Sequence, residues 1–182
     1  MAASDTTDTS SHLSNGEQMD CLSASELEDR LQEEINRAER QGTALCCLLV
    51  TIGNVEELSR EHGVELSERA LAYVGSALQR QLRDFDRIGR PSDRELLVVL
   101  PGADSPRGEA VARRVLDRLR SIKIEADGKR RPLRISVGLA AWSEGVAGED
   151  LIAQTRAAAQ RASGAEVAAR TAGASPPALG RP

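Results

Sequence analysis

Residues 44–52 read ALCCLLVTI, a run that carries no charge. A strand with one face in water alternates apolar and polar residues, whereas a strand covered on both faces is apolar throughout. The run therefore predicts a central strand, and whatever flanks it must supply two covering layers. On its N-terminal side Leu27, Leu31, Ile35 and Ala38 recur at helical spacing, preceded by Ser23-x-x-Glu26 as a capping box and followed by Gly42. On its C-terminal side Leu71, Val74, Leu78 and Leu82 step by three and four and mark a long amphipathic helix.

Further along, Phe85 to Arg90, a turn at Arg90-Pro91-Ser92-Asp93, and the apolar Glu95 to Leu100 predict a β-hairpin closed by Pro101-Gly102. A helix follows from about Arg107 to Arg120, with Val111, Val115 and Leu119 on one face. A strand pair around Ile122–Ile124 and Leu133–Ala141, turning at Asp127-Gly128, precedes a last helix from about Glu149 to Ala162. The order β-α-α-β-β-α-β-β-α behind a leading helix implies one sheet, mostly antiparallel, with helices packed on its faces, so the expected class is α/β (α+β).

The 182 residues suit one domain with tails. Residues 1–21 are polar and 164–182 are rich in Ala, Gly and Pro, and both are expected to lack structure, leaving 22–163 as the domain. With a single Phe, Tyr and Trp, the core must be built from Leu, Val, Ile and Ala. A net charge of -4 gives no electrostatic grip on a nucleic acid polymer or an anionic membrane. Cys21, Cys46 and Cys47 have no CxxC spacing and read as reduced structural thiols. No basic-then-apolar leader or membrane-length apolar run occurs, so a cytoplasmic location is expected.

Several strings, taken in register, resemble the GGDEF family of bacterial diguanylate cyclases. They are LLVTIGNVEELSREHG (48–63), ALAYVGSALQRQLRDFDRIGR (70–90), PSDRELLVVLPG (91–102) and ISVGLAAW (135–142), and the resemblance runs from about Leu22 to Ala162. It implies a nucleotidyl-cyclase-like fold. It also implies a substrate, GTP, whose phosphates need a hard cation held by carboxylates. The family places those acids at the end of the first strand and in the hairpin. Thr51 and Gly53 stand at the strand positions, and the hairpin reads Ser92-Asp93-Arg94-Glu95-Leu96, keeping only Glu95. The family's guanine-side pair is replaced by Ser59-Arg60, its following Gly-Asp by Ser67-Glu68, and the signature of its last helix by Thr155-Arg156, Ala158-Ala159-Gln160 and Ala162-Ser163. On these grounds the chain is expected not to be an enzyme, with no catalytic residue, metal or cofactor.

What the resemblance does retain is the family's Arg-x-x-Asp motif, which binds cyclic di-GMP. Arg83 and Asp86 stand five residues before Ser92, and gapless counting places Arg114 where the family often adds a second arginine. A planar guanidinium can fork onto phosphate or a guanine edge, and a carboxylate accepts from guanine N1 and N2. The bland alternative is a solvated Arg83–Asp86 salt bridge at a helix end, with Arg114 one arginine among many. The sequence thus points to a cyclic di-GMP receptor in second-messenger signalling, acting on an unidentified signalling protein and allowing a homodimer. The competing expectation is a ligand-independent interaction module using Pro91 to Arg94. His62 is expected on the surface at a helix end, His12 in the N-terminal tail, and Trp142 over the core.

Overall fold

The structure, a computed structural model, describes residues 21–162 and the backbone of 167–171. Helix α1 (Ala24–Gln41) opens on the capping box: Glu26 N–H donates to the Ser23 hydroxyl, and Ser23 N–H donates to the Glu26 carboxylate. It closes at Gly42, whose φ of 62° is a conformation glycine adopts without strain. Strand β1 (Leu45–Ile52) follows, then α2 (Val55–His62), α3 (Val64–Gln79), β2 (Arg87–Ser92), β3 (Glu95–Pro101) and α4 (Ser105–Leu119). The remaining elements are β4 (Lys123–Ala126), β5 (Lys129–Pro132), β6 (Ile135–Ala141), α5 (Gly148–Arg161) and β7 (Val167–Thr171).

The main sheet has the order β2-β3-β1-β6-β7. β1 lies at its centre, antiparallel to β3 and to β6, and only the β6–β7 pairing is parallel. Successive side chains of β1 alternate between two cores, as the pleat requires. Cys46, Leu48, Val50 and Ile52 join Leu71, Val74 and Leu78 of α3 and Val115, Leu116 and Leu119 of α4. Leu45, Cys47 and Leu49 join Leu27, Leu31 and Ile35 of α1 and Leu151 and Ala159 of α5. Burial raises the Cys46 thiol to about 12, with Asp104 adding to it, and pushes the Cys47 thiol up as well, so neither supplies a thiolate near neutral pH. Trp142 packs against the α1–α5 core and donates its indole N–H to the Val146 carbonyl at 2.9 Å.

Four details differ from the sequence reading. The turn at Asp127-Gly128 exists, with both residues at positive φ, but it joins β4 to β5, not to the apolar stretch Leu133–Ala141. The string Lys129-Arg130-Arg131-Pro132 shows no apolar alternation, so a pattern search passes over it, while the two-residue turn dictates the hairpin. The segment 164–182, expected to lack structure, contains β7, which pairs with β6 through the backbone. An open sheet edge recruits a strand through its unpaired amides and carbonyls whatever the composition suggests. The His62 side chain is only 8% exposed, in a residue that is half-buried as a whole, and is held by Asp127 across the β4–β5 turn (Nδ1 to Oδ2, 2.8 Å). Helix α3 stops at Gln79, so Leu82 lies in the connection beyond it. His12 and the N-terminal tail to residue 20 lie outside the described residues.

Candidate functional site

Between α3 and β2 the chain turns through Arg83-Asp84-Phe85-Asp86 over the edge of the sheet. Asp86 Oδ2 accepts a hydrogen bond from Arg83 N–H at 2.8 Å, which closes the turn on itself. This is a backbone bond, so the Arg83 guanidinium is not spent on Asp86 and lies instead over the Phe85 ring, 5.7 Å from its centroid. Arg87 donates to the carbonyls of Asp84 (2.6 Å) and Asp86 (3.0 Å). From α4, Arg114 reaches across and donates to the Gln81 carbonyl at 2.6 Å, joining the helix to the same connection.

Arg83, Asp86 and Arg87, with Leu22, Gln79 and Leu82, line a cleft of about 400 Å³. Asp86 is half-buried, and its carboxyl is raised above its usual range. Desolvation is the main cause, opposed by the Arg83 amide and by the charges of Arg83, Arg114 and Arg87. Arg83, Asp86 and Arg114 thus come together at one place in the fold. Arg87 and Phe85 belong to the same place and were not singled out in the sequence. The signal for Arg87 was its adjacency to Asp86, but its contacts are to backbone carbonyls, which leave no side-chain pattern to read.

A second cluster lies at the β2–β3 hairpin. Glu95 is 6% exposed. Arg156 of α5 grips it with two hydrogen bonds, Nε to Oε1 and Nη2 to Oε2, both 2.9 Å, and Ser92 donates to Oε2 at 3.0 Å. Burial would raise the Glu95 carboxyl, but the bonds from Arg156 and Ser92 and the charges of Arg156 and Arg94 outweigh it and hold the group below the usual range. Around it Arg94 pairs with Glu56 at 2.9 Å, Arg90 forks onto Glu68 at 2.8 and 2.9 Å, and Arg134 pairs with Glu57 at 2.6 Å. Glu56, Glu57, Glu68 and Glu95 are thus each taken by an arginine. The divalent cation that a cyclase of this fold would hold meets Thr51 and Gly53 at the end of β1 and an Arg-clamped Glu95 in the hairpin, and this donor set does not fit it. Among the described residues no group of three or more His, Cys, Asp or Glu is placed to hold a metal ion.

The family described as Diguanylate cyclase, GGDEF domain, matches residues 22–166. The chain belongs to the GGDEF family. The diguanylate cyclase DgcP of Pseudomonas aeruginosa is 24% identical over 136 residues, 75% of this chain and 20% of that protein. The GGDEF domain of DgcB from Caulobacter crescentus, solved with cyclic di-GMP, superposes with a TM-score of 0.75 at 16% identity, covering 87% of this chain and 97% of that one. The diguanylate cyclase SiaD of Pseudomonas aeruginosa, solved with its activator SiaC, gives a TM-score of 0.71 at 23% identity over 76% of this chain and 53% of that one. The chain spans about 20–34% of the length of the curated relatives it matches.

These comparisons correct one expectation. The chain was read as not being an enzyme, yet the family it belongs to is described as diguanylate cyclase and DgcP is named as one. The expectation came from weighing single side chains at the strand end and hairpin. Membership rests on the register of the whole domain, which those single side chains do not decide. No helix among the described residues is long and apolar enough to cross a membrane.

Proposed function

We propose that this GGDEF domain works in cyclic di-GMP signalling by binding the dinucleotide at Arg83, Asp86 and Arg114, with Arg87 holding the turn in shape. One observation carries the reading: a half-buried carboxylate under the charges of three arginines, one brought over from another helix, at the rim of an open cleft. A solvated surface salt bridge has no need of that convergence, since exposed pairs contribute about 0–1 kcal/mol. The dinucleotide offers what the cluster lacks, namely phosphates for the guanidinium groups and a guanine N–H edge for Asp86. The DgcB domain solved with cyclic di-GMP supports the same ligand class here. SiaD, solved with its activator SiaC, supports a protein partner for a domain of this fold.

Calorimetric titration of the purified chain with cyclic di-GMP tests the reading. Saturable binding that disappears in Arg83→Ala and weakens in Arg114→Ala is the expected result. No saturable heat at about 50 μM ligand, an affinity well within reach of charge-assisted contacts, would overturn it. Product analysis after incubation with GTP and magnesium, on the same preparation, shows whether the dinucleotide is made by the chain or only received by it.

A further inference from the structure

A second depression of about 480 Å³ opens between α3, the end of α4 and the β4–β5 hairpin. Four cationic side chains border it: Arg69 from α3, Arg118 from α4, Lys123 from β4 and Arg130 from β5. Elsewhere arginines are mostly engaged, as in Arg30 with Glu33 and Glu34, Arg90 with Glu68, Arg94 with Glu56, Arg134 with Glu57 and Arg156 with Glu95. Among the described residues these four make no ion pair. Glu125 is the one acid on the rim, so the depression keeps an excess of positive charge in a chain whose net charge is -4. Its floor is apolar, formed by Ala70, Ile122, Ile124 and Leu133, and Tyr73 stands over it 57% exposed.

We propose that this depression docks an acidic peptide segment of a partner protein, one that places an apolar side chain on the floor and carboxylates on the rim. The inference does not depend on cyclic di-GMP. Tyr and Arg are the side chains most often found anchoring protein contacts, because each offers a large surface and a directed polar end. The site is open and shallow, which suits a chain segment lying across it better than a small molecule needing enclosure. Its charges are spread over four elements, matching carboxylates spaced along a peptide. A compact phosphate finds no N-terminal amide cradle here, since Arg118, Ser121 and Ile122 line the depression at the C-terminal end of α4.

The test uses the full chain and a fluorescein-labelled peptide of sequence Glu-Glu-Leu-Phe-Glu-Glu, followed by fluorescence anisotropy at low salt. Saturable binding is expected, weakened about tenfold or more by the double substitution Arg69→Glu and Arg130→Glu and largely restored in Arg69→Lys with Arg130→Lys. Tyr73→Ala should weaken it too, while Arg83→Ala leaves it unchanged. The substituted residues are exposed, and unchanged melting curves would confirm that the variants are folded. The proposal is overturned by no saturable binding up to about 1 mM peptide, by equal binding of a hexaglutamate peptide, by equal binding to the charge-reversed variant, or by full displacement with an equimolar amount of inorganic pyrophosphate.

Discussion

Asp86 and Glu95 are both carboxylates near arginines that burial pushes upward, yet their net shifts are opposite. Glu95 receives two bonds from Arg156 and one from Ser92, so its charge is more than compensated and its carboxyl lies below the usual range. A depressed carboxyl contributes stability that is complete above its unfolded value and is lost as pH falls through the folded one. Arg156→Ala should therefore cost about 1–3 kcal/mol at pH 7 by leaving a buried acceptor unmatched. The difference should shrink below about pH 4.5, as urea melts at a series of pH values will show. Asp86 is raised, mainly by burial, with the arginine charges only partly compensating. Its ionised form is unfavourable in the fold, so stability falls as pH rises through the raised value. Asp86→Asn should accordingly leave the melting temperature at pH 7 unchanged or higher, while weakening cyclic di-GMP binding, which calorimetry on the same variant will detect. A residue kept at a cost to stability is what a binding role requires, and a merely structural salt bridge would give the reverse result.

Elements were legible to the extent that their signals were local. The buried run of β1, the Ser23–Glu26 box and the turn at Asp127-Gly128 each lie within a few residues and were read directly. The hairpin β4–β5 was not, because its second strand is charged, and neither was the grip of Arg156 on Glu95, whose partners are 61 positions apart. At the candidate site the register exposed Arg83, Asp86 and Arg114, but nothing in the string revealed Arg87 or the backbone bond that frees the Arg83 guanidinium. The docking of α5, which delivers Arg156, depends on Gly138 in β6. A Cβ there would fall inside the backbone of Thr155 and Ala159, atoms that cannot turn aside. Gly138→Ala should push α5 off the sheet, costing about 3 kcal/mol as an overpacked contact. Gly108→Ala meets only the ends of Leu139 and Cys46 at 3.0–3.2 Å and should cost less, a contrast that chemical denaturation of the two variants measures.

Across the whole molecule, the Asp86 cleft is a junction. The connection from α3 to β2 forms it, Arg114 attaches α4 to it through the Gln81 carbonyl, and Leu22, at the start of the described chain, borders it and bonds to Ile88 and Arg90 beside it. A ligand seated there contacts elements from three parts of the sequence, so its binding energy acts on the global folding equilibrium and not on one loop. At a ligand concentration about 100 times the dissociation constant, a folded-state ligand adds about 2.7 kcal/mol. For a domain of this size that raises the melting temperature by roughly 5–10 °C, since each kcal/mol moves it about 2–4 °C. Thermal scans with cyclic di-GMP should show this rise in the parent chain and none in Arg83→Ala. Arg114→Ala has a distinct expectation, because it removes both a ligand contact and the tie to Gln81. It should lower the melting temperature without ligand and reduce the rise with it. A variant in which the first effect appears without the second would show that Arg114 secures the junction but does not touch the dinucleotide, and the site would then rest on Arg83 and Asp86.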